Sequence, residues 1–214
     1  MKKKNKKDEL VQNGSVDVQT LETELKRVNH NERFRKLLRS TIYTLIVVAA
    51  CAVLVAVLFM PVLRIYGSSM NPTLSEGEIV VSIKGSSFKC GDVVGVYFGS
   101  KLLVKRVIAT EGQWVDIDKD GTVYVYDDVK GEPLDEPYLA EDKKALGEVN
   151  ITLPCQVPPE SIFVMGDNRE TSIDSRNTSV GCIDIDNVVG KIVFKIWPLD
   201  KFGTVKSYNI GGEN

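Results

Sequence analysis

The chain has 214 residues, with 27 lysines and arginines against 29 aspartates and glutamates, a net charge of −2. That balance gives no reason to expect nucleic acid as a partner. Its one histidine, His30, precedes a long apolar segment, so imidazole chemistry beyond that segment, whether a Ser-His-Asp hydrolase or a Cys-His transpeptidase, is excluded.

Residues 1 to 16 are Lys-rich and then polar, which predicts disorder. Val18, Leu21, Leu25 and Val28 recur at near-helical spacing and predict a short helix. It reads either as a partner-binding helix or as a solvated lead-in beside anionic lipid.

Ser40 to Leu63 is free of charge and is closed by Arg39 and Arg64. About 20 apolar residues cross a bilayer as a helix, so this run suffices. A cleavable secretory signal has a shorter apolar core and a shorter basic leader. The segment therefore reads as a retained anchor. Residues 1–39 carry a net +5, which leaves −7 on residues 40–214. Positive flanks stay in the cytoplasm, so residues 65–214 are expected outside.

Cys51 lies within the span, and Cys90, Cys155 and Cys182 lie beyond it. One disulfide with a leftover thiol and three unpaired thiols are both open. Without an external histidine or a fourth external cysteine, no zinc site is expected.

Past Arg64 the pattern changes to short strands. They are expected at Glu78–Lys84, Asp92–Phe98, Lys101–Thr110, Gln113–Asp118, Thr122–Tyr126, Ser161–Met165 and Val188–Trp197. Gly99-Ser100 and Lys119-Asp120-Gly121 read as the turns between neighbouring strands. The fold class expected is an all-β domain, of antiparallel sheets or barrel-like, behind one N-terminal transmembrane helix. Three parts follow: 1–39 cytoplasmic, 40–63 in the membrane and 64–214 extracytoplasmic. Residues 127–159 are acidic and weakly patterned, and suggest an excursion or inserted subdomain around 115–160.

Two residues stand out chemically. Ser69 sits between Gly67 and Pro72, in a turn that can present a hydroxyl at a fixed angle. The alternative is an ordinary turn serine. Five residues separate it from Leu63, at most about 17 Å of extended chain, which keeps it near the membrane surface. Lys105 lies in an apolar strand, sharing one face with Leu103 and Val107. Desolvation would lower its pKa and make the amine a base for Ser69. The alternative is an exposed edge-strand lysine. Arg106 points to the other face and is expected to be the solvated neighbour. The polar run Gly166–Arg176 offers Ser172 as a partner for the lysine amine and Asp174 with Arg176 as an ion pair.

Taken in order, these boxes resemble the bacterial type I signal peptidases, membrane-anchored serine proteases that remove signal peptides. The resemblance rests on Gly67–Leu74, Cys90–Val94, Val104–Ile108, Gly166–Arg176 and Gly190–Phe194, and covers the chain from Arg39 onward. It implies Ser69 as nucleophile, Lys105 as general base, Ser172 orienting the lysine, and Asp174 and Arg176 holding the site together. It implies preproteins with small residues before the cut as substrates, the bilayer as partner and no cofactor or metal. Two departures matter. Many relatives have a serine where this chain has Gly67, so the oxyanion is expected to rest on backbone N–H groups at Ser69. Relatives often read Gly-Leu-Pro-Gly-Asp where this chain has Ala109–Gln113. The competing readings are a soluble self-cleaving repressor, disfavoured by the span, and a non-catalytic membrane-tethered β-domain that binds exported proteins.

Overall fold

A computed structural model describes residues 18–139 and 144–210. The disorder expected over residues 1–16 falls outside the described residues. Helix α1 runs from Val18 to Phe59 without a break, so the expected short helix and the apolar span are one element. Among the described residues it is the one helix long and apolar enough to cross a membrane, over Lys26–Phe59. Within the apolar part, Thr41 and Thr44 turn their hydroxyls back onto the Leu37 and Ser40 carbonyls, at 3.0 and 2.9 Å. That satisfies both hydroxyls inside the helix.

The expected span to Leu63 is shortened at its far end. The Met60 N–H closes the last turn on the Ala56 carbonyl at 2.8 Å. Pro61 has no N–H with which to continue, and Val62–Arg64 form strand β1 instead.

Beyond the helix every strand pairing among the described residues is antiparallel. The strands are β2 (Ile79–Ile83), β3 (Val93–Phe98), β4 (Lys101–Thr110), β5 (Trp114–Ile117), β6 (Val123–Tyr126), β7 (Cys155–Gln156), β8 (Ser161–Met165), β9 (Ile183–Asp184), β10 (Val188–Trp197) and β11 (Gly203–Thr204). The larger sheet has the order β1-β2-β10-β3-β4-β8-β9, with β11 added to β10. A second sheet has the order β6-β5-β7. The seven expected strands all form, with ends that agree within a residue. Phe98 pairs with Lys101 across Gly99-Ser100, a two-residue hairpin loop with Gly99 at φ +58°.

Three apolar clusters hold the sheets. Val107 on β4 packs with Val94, Val96, Ile162 and Val164. Its neighbour Ile108 packs on the opposite face, with Val115, Val123, Phe163 and Met165. Strands β4 and β8 are thus covered on both sides. Ile65, Met70, Leu74, Val80, Val93 and Ile192 form the third cluster.

This double coverage corrects the expectation for Arg106. Its side chain is fully buried and does not reach solvent. The guanidinium donates to both carboxylate oxygens of Asp167, at 2.8 and 2.6 Å, and to the Gly91 carbonyl at 2.7 Å. It also lies 3.9 Å from the Tyr138 ring centroid, a cation–π contact. Alternation along a strand predicts a wet face only when one side of the sheet is open.

A paired charge in this setting is destabilising when one partner is removed. Asp167→Ala is expected to lower the unfolding free energy by about 3–5 kcal/mol. Removing the half-exposed Lys130 amine beside Asp116 should barely move it. Denaturant titration of the two variants in the same detergent checks the difference.

Candidate active site

The turn after β1 is fixed from below. Met70 and Leu74 are almost wholly buried, and the Leu74 N–H reaches the Met70 carbonyl at 2.8 Å. Ser69, one position earlier, stays half-buried with its side chain beside a groove. Gly67 takes φ +77°, a left-handed conformation that disfavours a side chain even though space is open around it. Asn168 holds the turn from above. Its backbone N–H donates to the Ser69 carbonyl at 2.9 Å and its Nδ2 to the Ser68 carbonyl at 3.3 Å. Among the described residues nothing accepts from the Ser69 N–H.

Lys105 comes from the middle of β4. It is 3% exposed, and its Nζ donates to Ser172 Oγ at 2.9 Å. No carboxylate pairs with it among the described residues. Burial lowers its pKa to about 8, with Asp174 and Asp167 opposing that shift and Arg176 adding to it. The alternative of an exposed edge-strand lysine is thereby removed, because Lys105 is buried.

Behind Ser172 stands a fully occupied carboxylate. Asp174 accepts from Arg176 Nε at 2.8 Å and Nη2 at 2.9 Å, and from the Gly166 N–H at 2.9 Å. Burial pushes its carboxyl up, but the Arg176 hydrogen bonds and charge, with Ser172 and the Gly166 N–H, outweigh that and hold it below the usual value. Arg176 also donates to the Leu146 and Arg169 carbonyls, at 2.6 and 2.9 Å. Asp174 therefore neutralises Arg176 and has little left for the lysine.

Gly166 sits at the crossing of these elements. A Cβ there would come within 3.0 Å of both Ser172 Oγ and the Ser69 carbonyl oxygen. Only glycine lets the two segments approach as they do. Asp167, the next residue, also bonds the Thr73 hydroxyl, tying the box to the serine turn a second time.

The groove measures about 660 Å³. It is lined by residues 62–66 and 101–105 together with Ser69 and Met70. Strand β1 is terminal in its sheet, so one of its edges is unpaired. Strand β8 pairs with β4 only from Arg106 onward, which leaves the Lys101–Lys105 edge free. Two open strand edges thus face one groove.

Of the residues expected in the site, Ser69 and Lys105 share this groove, with no hydrogen bond directly between them. Ser172 touches the lysine, and Asp174 and Arg176 lie one step further back. Sequence reading passed over Gly166, Asp167 and Asn168 as individuals, although all three stand in the singled-out run. It misjudged Arg106.

The family model described as "Signal peptidase, peptidase S26" matches residues 38–197. The chain belongs to that family and is a peptidase of the signal peptidase I class. It is 38% identical over 169 residues to Signal peptidase I of Bacillus licheniformis, covering 73% of this chain and 87% of the relative. It is 37% identical over 160 residues to Signal peptidase I T of Bacillus subtilis (strain 168), covering 70% and 79%. Signal peptidase IB of Staphylococcus aureus (strain MRSA252) is 38% identical over 169 residues, covering 70% and 82%. A solved signal peptidase I from Enterococcus faecalis V583 aligns with a TM-score of 0.40 and 24% identity, over 50% of this chain and 97% of its own.

Gly166→Ala is expected to force Ser172 off Lys105 and to lower stability by about 1–3 kcal/mol, the usual range for overpacking. A crystal structure of the variant should show the Lys105–Ser172 separation lengthened beyond 2.9 Å. An unchanged separation and unfolding midpoint would contradict this close approach.

Proposed function

We propose that this protein cleaves signal peptides from exported preproteins, with Ser69 as nucleophile and Lys105 as general base. The observation that carries this reading is the buried Lys105 amine, with a pKa near 8, on the same groove as the half-buried Ser69. A lysine at its ordinary pKa of about 10.4 is almost entirely protonated at neutral pH and accepts no proton. One near 8 has a useful neutral fraction and still holds a proton well enough to return it.

The preprotein lies extended between the free edges of β1 and residues 101–105, completing the sheet by main-chain hydrogen bonds. Shallow walls accept only small side chains next to the cut. Ser69 Oγ attacks the scissile carbonyl as Lys105 takes its proton. Catalytic hydrogen bonds are commonly loose in the free enzyme and tighten with substrate bound. The oxyanion is held by the backbone N–H of Ser69, a type of contact worth about 3–4 kcal/mol. Lys105 then protonates the departing amine. Water, activated by the same lysine, hydrolyses the ester and restores Ser69. Ser172 keeps the amine aimed, and Asp174 with Arg176 keeps Ser172 in place.

The charge asymmetry across α1 supports an orientation with residues 1–39 in the cytoplasm and the β-domain on the outer face. There the groove would meet substrates still anchored in lipid. Protease added to intact spheroplasts should digest the β-domain; full protection would refute the orientation.

Purified protein in detergent should cut a labelled preprotein, and Ser69→Ala or Lys105→Met should each reduce the rate at least about 10³-fold. With chemistry limiting, the rate should rise with pH through about 8 as Lys105 loses its proton. A flat profile from pH 6 to 10 would sink the assignment of Lys105 as base.

The same pKa has a stability consequence. Burial holds Lys105 below its unfolded value, so the ammonium is disfavoured in the fold at pH 7. The penalty is complete below about pH 8 and fades between 8 and 10.5. Lys105→Met, inactive, should therefore unfold no more easily than wild type at pH 7, and be stabilised by as much as about 3 kcal/mol. That advantage should shrink toward pH 10.

A further inference from the structure

Gly67 supplies no side-chain donor, so the oxyanion contact proposed above rests on the Ser69 N–H. That N–H belongs to the peptide unit joining Ser68 to Ser69, whose carbonyl is that of Ser68. A peptide unit is planar, and this one is trans, so its N–H and C=O point in opposite directions. Whatever holds the Ser68 carbonyl therefore aims the Ser69 N–H.

Two donors hold it. The Asn71 N–H reaches the Ser68 carbonyl at 3.0 Å from within the turn, and Asn168 Nδ2 reaches it at 3.3 Å from across the site. The Asn168 backbone N–H takes the next carbonyl, that of Ser69, at 2.9 Å. One residue thus grips the peptide units on both sides of the Ser69 Cα. The Ser69 N–H itself is left without an acceptor among the described residues.

Asn168 is well placed to grip. It is buried, its carbonyl accepts from the Thr171 N–H at 3.3 Å, and Asp167 before it is locked to Arg106. Its side chain also carries a cost. Oδ1 is buried with no partner among the described residues, and an unpaired buried acceptor is destabilising. Leucine has nearly the same shape and no such penalty. Packing alone would favour leucine, so the amide is accounted for by its donor end.

We propose that Asn168 is a positioning residue for the oxyanion: its amide fixes and polarises the Ser68–Ser69 peptide, so that the Ser69 N–H is already aimed at the charge that develops on the scissile carbonyl. This rests on the assignment of Ser69 as nucleophile proposed above. A donor on the carbonyl oxygen draws density from the amide nitrogen and makes its N–H a stronger donor. A fixed donor needs no reorganisation as the charge appears. Both effects act in the transition state and leave ground-state binding of the preprotein alone.

The test uses the full chain in detergent with a labelled preprotein. Asn168→Leu removes the donor and the unpaired acceptor together. It should lower kcat about 10–50-fold, less than the loss of an oxyanion donor outright, because the Ser69 N–H remains. KM should stay within about twofold, and the pH midpoint of the rate should stay near 8. A peptide aldehyde, to whose carbonyl carbon Ser69 Oγ adds, puts an oxygen where the oxyanion forms. Its affinity should fall by the same factor as kcat/KM. The unfolding midpoint should move by less than about 4 °C, since Asn71 still serves the Ser68 carbonyl. Asn168→Ala, run in parallel, should show the same kcat loss. An unchanged kcat, a loss carried by KM, a displaced pH midpoint or an unchanged aldehyde affinity would overturn the inference. So would failure of both variants to fold, which would make Asn168 a purely structural residue. Wild type that does not cut, or Ser69→Ala that does, would overturn the nucleophile assignment itself and this inference with it.

Discussion

Lys105 and Arg106 are consecutive cations on one strand, both buried, and the fold treats them in opposite ways. Arg106 receives a bidentate carboxylate, a backbone carbonyl and an aromatic face. Lys105 receives a hydroxyl. An amine with an ion-paired carboxylate would stay protonated, because an opposite charge in contact favours the charged form. The site is built so that Asp174, the carboxylate that acts most on Lys105, is already engaged by Arg176 and the Gly166 N–H. Burial then dominates at Lys105 and lowers its pKa, with Arg176 adding to that shift and Asp174 and Asp167 opposing it. On the function proposed above, the fold carries this instability at one residue in exchange for a base that works near neutral pH.

The dense run Gly166–Arg176 makes sense once its partners are laid out. Gly166 permits contact, Asp167 neutralises Arg106, Asn168 clamps the carbonyls of Ser68 and Ser69, and Ser172 meets the lysine. Ser175 Oγ accepts from the Val164 N–H at 2.9 Å, folding the run back onto β8. One segment thus positions both the serine turn and the lysine strand, two pieces far apart in sequence. The geometry between Ser69 and Lys105 is set by a third party, which is why a change at Gly166 or Asn168 acts on both.

Most of the fold was legible because strand signals are local. Alternation, β-branched residues and Gly turns marked the longer strands, and Pro61 marks the helix stop once its missing N–H is weighed. The strands β1, β7, β9 and β11 have only two or three residues each, too few for a period to register. They exist because a distant partner is already in place: β1 lies on β2, β9 on β8 and β11 on β10. Arg106 was misread for a related reason. Its sequence neighbours give its face but not what covers that face, and Tyr138 and Tyr208 arrive from outside the strand.

The weakly patterned stretch between β6 and β7 is where a local reading had least to offer, and the contacts suggest why its pattern is weak. Its described residues answer to Arg106 and the run Gly166–Arg176 rather than to a period of their own. Glu136 pairs with Arg169, and Tyr138 covers Arg106. The Leu146 carbonyl accepts from Arg176, and the Asn150 N–H donates to the Arg176 carbonyl at 3.1 Å. A segment selected for single contacts with three buried arginines has no reason to alternate. To the buried arginines its described residues supply one carboxylate, at Glu136, and backbone groups at Leu146 and Asn150, with no strand among them. The lysine can stay without a counter-ion only because each of these arginines has found partners of its own.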